Sequence, residues 1–183
     1  MTPWIFGYGS LVWRPDMPVS QARRATLSGF VRRFWQGSPD HRGTHEAPGR
    51  VVTLVPDPKG VVVGRAYRIA SAALPEVLGR LDHREKAGYE RRICPVHTDE
   101  GPVDALVYFA AEGNPSWLGP APVAEMAAHI ARSVGPSGTN RAYLLELARA
   151  LGELNADDRH VADLAAAVRA VGAVGPARTV GSP

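Results

Sequence analysis

The chain has 183 residues and a mass of 19.6 kDa, the size of one domain with its own core. Apolar residues make up 45% and charged residues 21%, which excludes a disordered chain, and the longest apolar run, Ala105 to Ala111, is far below the ~20 residues that cross a bilayer. The formal charge of +3 is unevenly held: residues 1–65 carry nine basic and four acidic side chains, the remainder twelve and fourteen.

The N-terminal part is therefore expected to attract anions. Its arginines are scattered and no RNA-recognition or helix-turn-helix pattern accompanies them, so nucleic acid is not the expected partner. A small anionic metabolite or a merely solvated basic face accounts for the charge. No basic start followed by an apolar stretch precedes Arg14, so no secretory leader is read and a cytoplasmic location is expected. Cys94 is the single cysteine. It can close no internal disulfide or zinc knuckle, and it reads as buried filler.

In chain order, Trp4 to Gly9 reads as a short buried strand running into a glycine turn, with Pro15 and Pro18 forcing an extended loop behind it. Ala25 to Trp35 alternates. Val51 to Val55 and Val61 to Ile69 are β-branched runs separated by Pro56, Asp57, Pro58 and Gly60, which predicts a hairpin. Leu74, Val77, Leu78 and Leu81 repeat with helical spacing and predict a helix over Ser71 to Arg84. Tyr89 to His97 and Asp104 to Ala110 form a further strand pair about the turn at Asp99 to Pro102, giving about six strands. Three helices follow: Val123 to Ser133 after Pro122, Arg141 to Leu154 capped by Asn140, and Arg159 to Val171 capped by Asp158. Strands first and helices last, without βαβ alternation, predict an α+β fold on a closed or strongly curved sheet. Residues 1–171 are expected to form a single domain, and residues 172–183, rich in glycine and proline, a flexible C-terminal tail.

Four stretches could carry chemistry. The first is Phe6-Gly7-Tyr8-Gly9-Ser10-Leu11, whose glycines permit positive φ and close approach, so that successive backbone N–H groups could converge on an anion. It is no dinucleotide fingerprint, since Val12 stands where the third glycine belongs and no helix is expected to follow. The second is Asp82 to Tyr89, where Glu85 could point into a cavity as the helix gives way to Gly88, or lie solvated between Arg84 and Lys86. The third, Asp40 to Glu46, holds His41 and His45, but Gly43, Pro39 and Pro48 deny the helix that a zinc site with this spacing needs, so no metal is expected. A triad of Asp40 and His41 with Ser10 is a weak alternative to a loop held by polar contacts. The fourth is Gly135 to Asn140 with Tyr143, a turn and cap whose tyrosine either packs or touches a ligand.

Together these stretches resemble the ChaC-like, glutathione-specific γ-glutamylcyclotransferases. The resemblance is carried by Phe6 to Leu11 with Trp13, by Arg32 to Ser38 with Asp40 to Gly43, and by Pro48 to Val55. It continues in Leu81-Asp82, Arg84 to Lys86 with Gly88-Tyr89, Leu118 to Pro122, and Gly135 to Gly138 with Asn140 and Tyr143-Leu144. His83 and His45 depart from the residues expected at their positions. The resemblance implies a γ-glutamylcyclotransferase-like fold, a small barrel of mixed strands with surrounding helices. It also implies cleavage of glutathione into 5-oxoproline and Cys-Gly with no cofactor. It places the catalytic glutamate at Glu85 and the substrate-binding residues at Ile5, Phe6, Gly7, Tyr8, Gly9, Ser10 and Leu11, with Tyr143 beside them. Other γ-glutamyl amino acids or amines as substrates, or a non-catalytic small-anion binding module, are the alternatives, and the oligomeric state is unreadable.

Overall fold

The computed structural model describes residues 4–84, 89–110 and 112–173, with the backbone alone for residues 82–84, 172 and 173. Five strands close a barrel in the order β1-β3-β2-β4-β5: β1 Trp4–Gly7, β2 Val19–Ser38, β3 Gly49–Ile69, β4 Tyr89–Thr98 and β5 Gly101–Ala110. β1 runs parallel to β5, and every other barrel pair is antiparallel. The sheet is therefore mixed and closed, as expected. Outside it lie α1 Leu74–Arg84, α2 Val123–Arg132, α3 Asn140–Glu153 and α4 Arg159–Ala173, with a two-stranded ribbon of β6 Val134–Gly135 and β7 Gly138–Thr139 between α2 and α3.

Alternation along the strands gives the core two main clusters, beside a small third one of Val12, Ala150 and Leu154. Phe6, Phe34, Leu54, Val107 and Phe109 join Met126, Ile130, Leu144, Leu147 and Leu164 in the larger cluster, which draws on all five barrel strands and on α2, α3 and α4. Ile5, Tyr67, Ile69, Leu106 and Tyr108 face the other way and meet Val77 and Leu81 of α1. Both faces of β5 are covered over residues 105–110, which is why that part of its sequence is apolar without alternation.

The hairpin expected at Pro56 to Gly60 does not form. Residues 61–69 pair with Val19 to Ser28, and residues 51–56 pair with Phe30 to Gln36, so both halves of β3 lie along the same neighbour, β2. The prolines and glycine instead make a wide bulge opposite Gly29, which takes the left-handed φ of +85°. Within the bulge the Asp57 carboxylate accepts from the Lys59 N–H at 3.0 Å, and a Cβ at Gly60 would fall 2.3 Å from the Phe30 carbonyl oxygen. Two short expected strands are thus one long one, and the alternating run at 25–35 is the middle of a 20-residue strand.

Two helix caps can be read from hydrogen bonds. Asp158 caps α4 as expected, its carboxylate accepting from Val161 N–H at 3.1 Å. Thr139, rather than Asn140, caps α3, accepting from Ala142 N–H at 3.1 Å. Asn140 is wholly buried. Its side-chain amide accepts from Arg50 N–H and donates to Arg50 C=O, both at 2.7 Å, in the manner of one more strand residue beside β3. No described helix is long and apolar enough to cross a membrane.

Candidate active site

The first wall of the site is built at the end of β1. Gly7 closes the strand, a Cβ there would meet Leu11 Cβ at 2.7 Å, and one at Gly9 would meet the Tyr143 hydroxyl at 3.0 Å and Val52 Cγ2 at 3.1 Å. Neither glycine has positive φ. Their necessity is close packing, not the left-handed backbone that the sequence suggested. A single turn of 3₁₀ helix, Ser10–Val12, does follow, with Val12 N–H donating to Gly9 C=O at 3.0 Å. The expectation of no helix is corrected to that extent, because the crowded glycines let the chain tighten at once.

This turn is held from below. Arg32, only 2% exposed, donates from Nε to Tyr8 C=O at 2.8 Å, from Nη2 to Val63 C=O at 2.6 Å, and from Nη1 to the Asp158 carboxylate at 2.5 Å. Burial lowers its pKa, and Asp158 works against that; a guanidinium so far from its titration range remains charged. The turn after β1, the strand β3 and the residue that caps α4 are thereby tied to one side chain. Tyr67 Oη donates to Leu11 C=O at 2.5 Å, and burial pushes that phenol up to about 12, so it stays a donor.

The second wall comes from the far end of β2 and the loop behind it. Arg42 N–H donates to Ser38 Oγ at 3.0 Å, and Ser137 N–H donates to His41 C=O at 3.0 Å. His41 Nδ1 lies 3.0 Å from Ser137 Oγ, and its Nε2 lies 3.9 Å from the Asp40 carboxylate. The third stretch is thus a loop held by polar contacts, with His41 turned to the β6–β7 ribbon, while His45 is exposed. Among the described residues no three His, Cys, Asp or Glu side chains gather as a metal site. The Arg42 guanidinium lies over the Tyr143 ring, 5.5 Å from its centroid, and donates to Thr139 C=O at 3.2 Å.

Between the two walls is a cavity of about 270 Å³. Ser10 reaches it from the first stretch and Trp13 from just beyond, Tyr89 from the end of the second, Asp40, His41 and Arg42 from the third, and Ser137 and Tyr143 from the fourth. Four stretches far apart in sequence therefore meet at one opening. Of the expected substrate-binding residues, Ser10 and Tyr143 line it, and Gly9 backs the Tyr143 hydroxyl. Ile5 and Phe6 are buried on opposite faces of β1. Tyr8 is buried too, its hydroxyl donating to Tyr108 C=O at 2.7 Å. Leu11 packs against the α1 side. The side chains of Ile5, Phe6, Tyr8 and Leu11 serve the core, leaving only their backbone for a ligand. Glu85, with Arg84, Lys86 and His83 as side chains, lies outside the described residues.

A sequence model of the ChaC-like proteins matches residues 3–171. The chain belongs to the ChaC-like family. It is 44% identical over 180 residues to the glutathione-specific γ-glutamylcyclotransferase 1 of Homo sapiens, covering 94% of this chain and 80% of that protein. The corresponding Danio rerio protein is 42% identical over 91% of this chain and 89% of its own length. A crystal structure of the yeast γ-glutamylcyclotransferase specific to glutathione superposes with a TM-score of 0.87 at 30% identity, covering 92% of this chain and 96% of that one.

In this ChaC-like barrel several cavity residues were not among those expected to bind substrate: Arg14, Asp16, Ser38, Asp40, His41, Arg42, Tyr89 and Ser137. The third stretch did carry a signal. A Cβ at Gly43 would fall 2.1 Å from Gly49 N, and one at Gly49 would fall 2.4 Å from Arg42 C=O. Glycines packed that tightly mark a loop whose path is fixed, and a fixed loop bearing an arginine suits ligand binding. Arg14 is engaged by Asp16 at 3.0 Å.

Proposed function

We propose that this chain is a γ-glutamylcyclotransferase that cleaves glutathione into 5-oxoproline and Cys-Gly. The observation that carries this reading is the meeting of all four motif stretches around one cavity of a ChaC-like barrel. It is supported by the names of the relatives that span most of the chain.

The reaction is intramolecular. The substrate's α-amine attacks its own γ-carbonyl, a C–N bond closes the five-membered lactam, the amide C–N bond breaks, and the proton given up by the amine ends on the leaving cysteinyl amine. Nothing external is added and no electron changes hands, so the chemistry needs no cofactor. Orienting such a reaction lowers the barrier by as much as ~7–11 kcal/mol. A folded, walled cavity is the kind of surface that can impose that geometry.

We assign the proton transfers to Glu85, first as base and then as acid. That work is best done by a carboxyl whose pKa is raised from the ordinary carboxylate range toward neutrality. The α-carboxylate and the developing charge on the γ-oxygen are assigned to the backbone from Ile5 to Leu11, with Ser10 and the Tyr143 hydroxyl beside it. The small anionic substrate agrees with the basic N-terminal part, and we place the enzyme in the cytoplasm. We take residues 1–171 as the folded unit.

The test is direct. Purified protein is incubated separately with glutathione, oxidised glutathione and γ-glutamyl-alanine, and 5-oxoproline is measured. Release from glutathione, faster than from the other two, is expected; its absence from all three overturns the reading.

A further inference from the structure

We infer that Arg42 is a specificity-determining residue that receives the C-terminal carboxylate of the peptide leaving group, so that the cavity selects γ-glutamyl peptides over γ-glutamyl amides and amines. This rests on the cyclotransferase reading and adds to it the half of the substrate that the reaction itself does not need.

The placement of the side chain is what points to this role. Arg42 lines the cavity and is half-buried. Its guanidinium lies on the Tyr143 ring face while Nη1 is anchored to Thr139 C=O. Gly138, at a φ of +105°, leaves the room: a Cβ there would come within 3.2 Å of Nη1. A guanidinium stacked on an aromatic ring and held at one edge loses little further freedom on meeting a carboxylate, and its planar fork fits one.

The ring beneath it sets the direction. Tyr143 carries its hydroxyl beside the Gly9 position and the guanidinium on its face. The glycine turn, beside the hydroxyl end of the ring, takes the γ-glutamyl end of the substrate in the reading above, and the cation on the ring face is left for the leaving group. Of the cavity's acids, Asp16 is paired with Arg14 at 3.0 Å, and Asp40 lies 3.9 Å from the His41 ring.

The experiment compares glutathione with its glycine amide, which has the same shape and lacks the charge. Wild-type enzyme should favour glutathione over the amide by ~10- to 100-fold in kcat/KM, chiefly through KM, as expected for one charge-assisted contact. Arg42→Gln should lower kcat/KM for glutathione by a similar factor, leave the amide within about threefold of wild type, and so erase the preference. Arg42→Lys should keep part of it, since the charge remains and the fork is lost. A wild-type enzyme that turns over both substrates equally overturns the proposal with no variant needed. So does an Arg42→Gln enzyme that retains the preference, or one that loses both substrates alike. If neither substrate yields 5-oxoproline in the wild type, the reaction itself is misassigned, and the two failures are told apart.

Discussion

A methyl group on Gly9 would sit 3.0 Å from the Tyr143 hydroxyl and 3.1 Å from Val52 Cγ2, so a branched side chain there must displace one of the cavity's own walls. Gly9→Val is therefore expected to raise KM for glutathione by ~10-fold or more. Ser10→Ala, which removes only a hydroxyl from a site assigned to backbone donors, should change KM by less than about threefold. Steady-state kinetics on the two variants decides the matter, and an unchanged KM in Gly9→Val removes the turn from substrate binding. Glu85 calls for a different readout. Replacing its carboxyl by the isosteric amide in Glu85→Gln leaves the shape intact and removes the proton carrier, so kcat should fall by ~10²- to 10⁴-fold while glutathione still binds in calorimetry. Turnover surviving that substitution would take Glu85 out of the mechanism.

At the scale of elements, the site depends on β3 and α3 being locked together, and one side chain does much of that. Asn140 satisfies both the N–H and the C=O of Arg50 from a wholly buried position. Asn140→Ala leaves both groups without their partner and should destabilise the protein by about 2–4 kcal/mol in urea unfolding, with activity falling as Tyr143, one turn further along α3, loses its footing. A loss below about 1 kcal/mol would mean that water replaces the amide. The same residue shows where the sequence was legible and where it was not. A polar residue ahead of a helix reads as a cap because capping is local; pairing with a strand ninety positions away leaves no local trace. The Pro56 to Gly60 segment misleads for the same reason. Its turn chemistry is genuine, but the long partner β2 absorbs it as a bulge. By contrast, the helices over 123–133, 141–154 and 159–171 follow from the proline and polar residues that open them, and the strand pair over 89–110 from the turn at Asp99 to Pro102 between two apolar runs, all of them local signals. The site stretches were found through their motifs, yet the second wall was missed because its residues become a wall only when the β6–β7 ribbon folds onto the Asp40–Arg42 loop.

For the molecule as a whole, the junction of α4 with the barrel makes stability respond to pH. His160 accepts a hydrogen bond from Phe34 N–H at 3.0 Å through Nε2, which requires that nitrogen to be unprotonated. Burial, helped by the Arg33 charge, lowers its pKa from 6.5 to about 4, against the pull of Asp158 and Asp163. His129 is lowered as well, mainly by burial, and acts in the same direction. In the unfolded chain the His160 imidazole takes a proton near pH 6.5, whereas in the folded chain it resists until about pH 4. The unfolded state therefore binds more protons across that window. Its stabilising contribution is whole above pH 6.5, fades as pH falls, and is gone below about 4. Because the ring is partly solvent-exposed, the loss attributable to it is about 2–3 kcal/mol. His160→Gln keeps an acceptor near Phe34 N–H and cannot titrate. The wild type should thus lose about 2–3 kcal/mol more than this variant between pH 7 and pH 4 in denaturant unfolding, and parallel curves for the two proteins would show that the junction of α4 with β2 carries no proton linkage. The same junction holds Arg32 and, through it, the Tyr8 carbonyl at the edge of the glycine turn. Acid should consequently weaken the glycine turn together with the fold, so that KM for glutathione rises in the wild type before global unfolding and lags behind in His160→Gln.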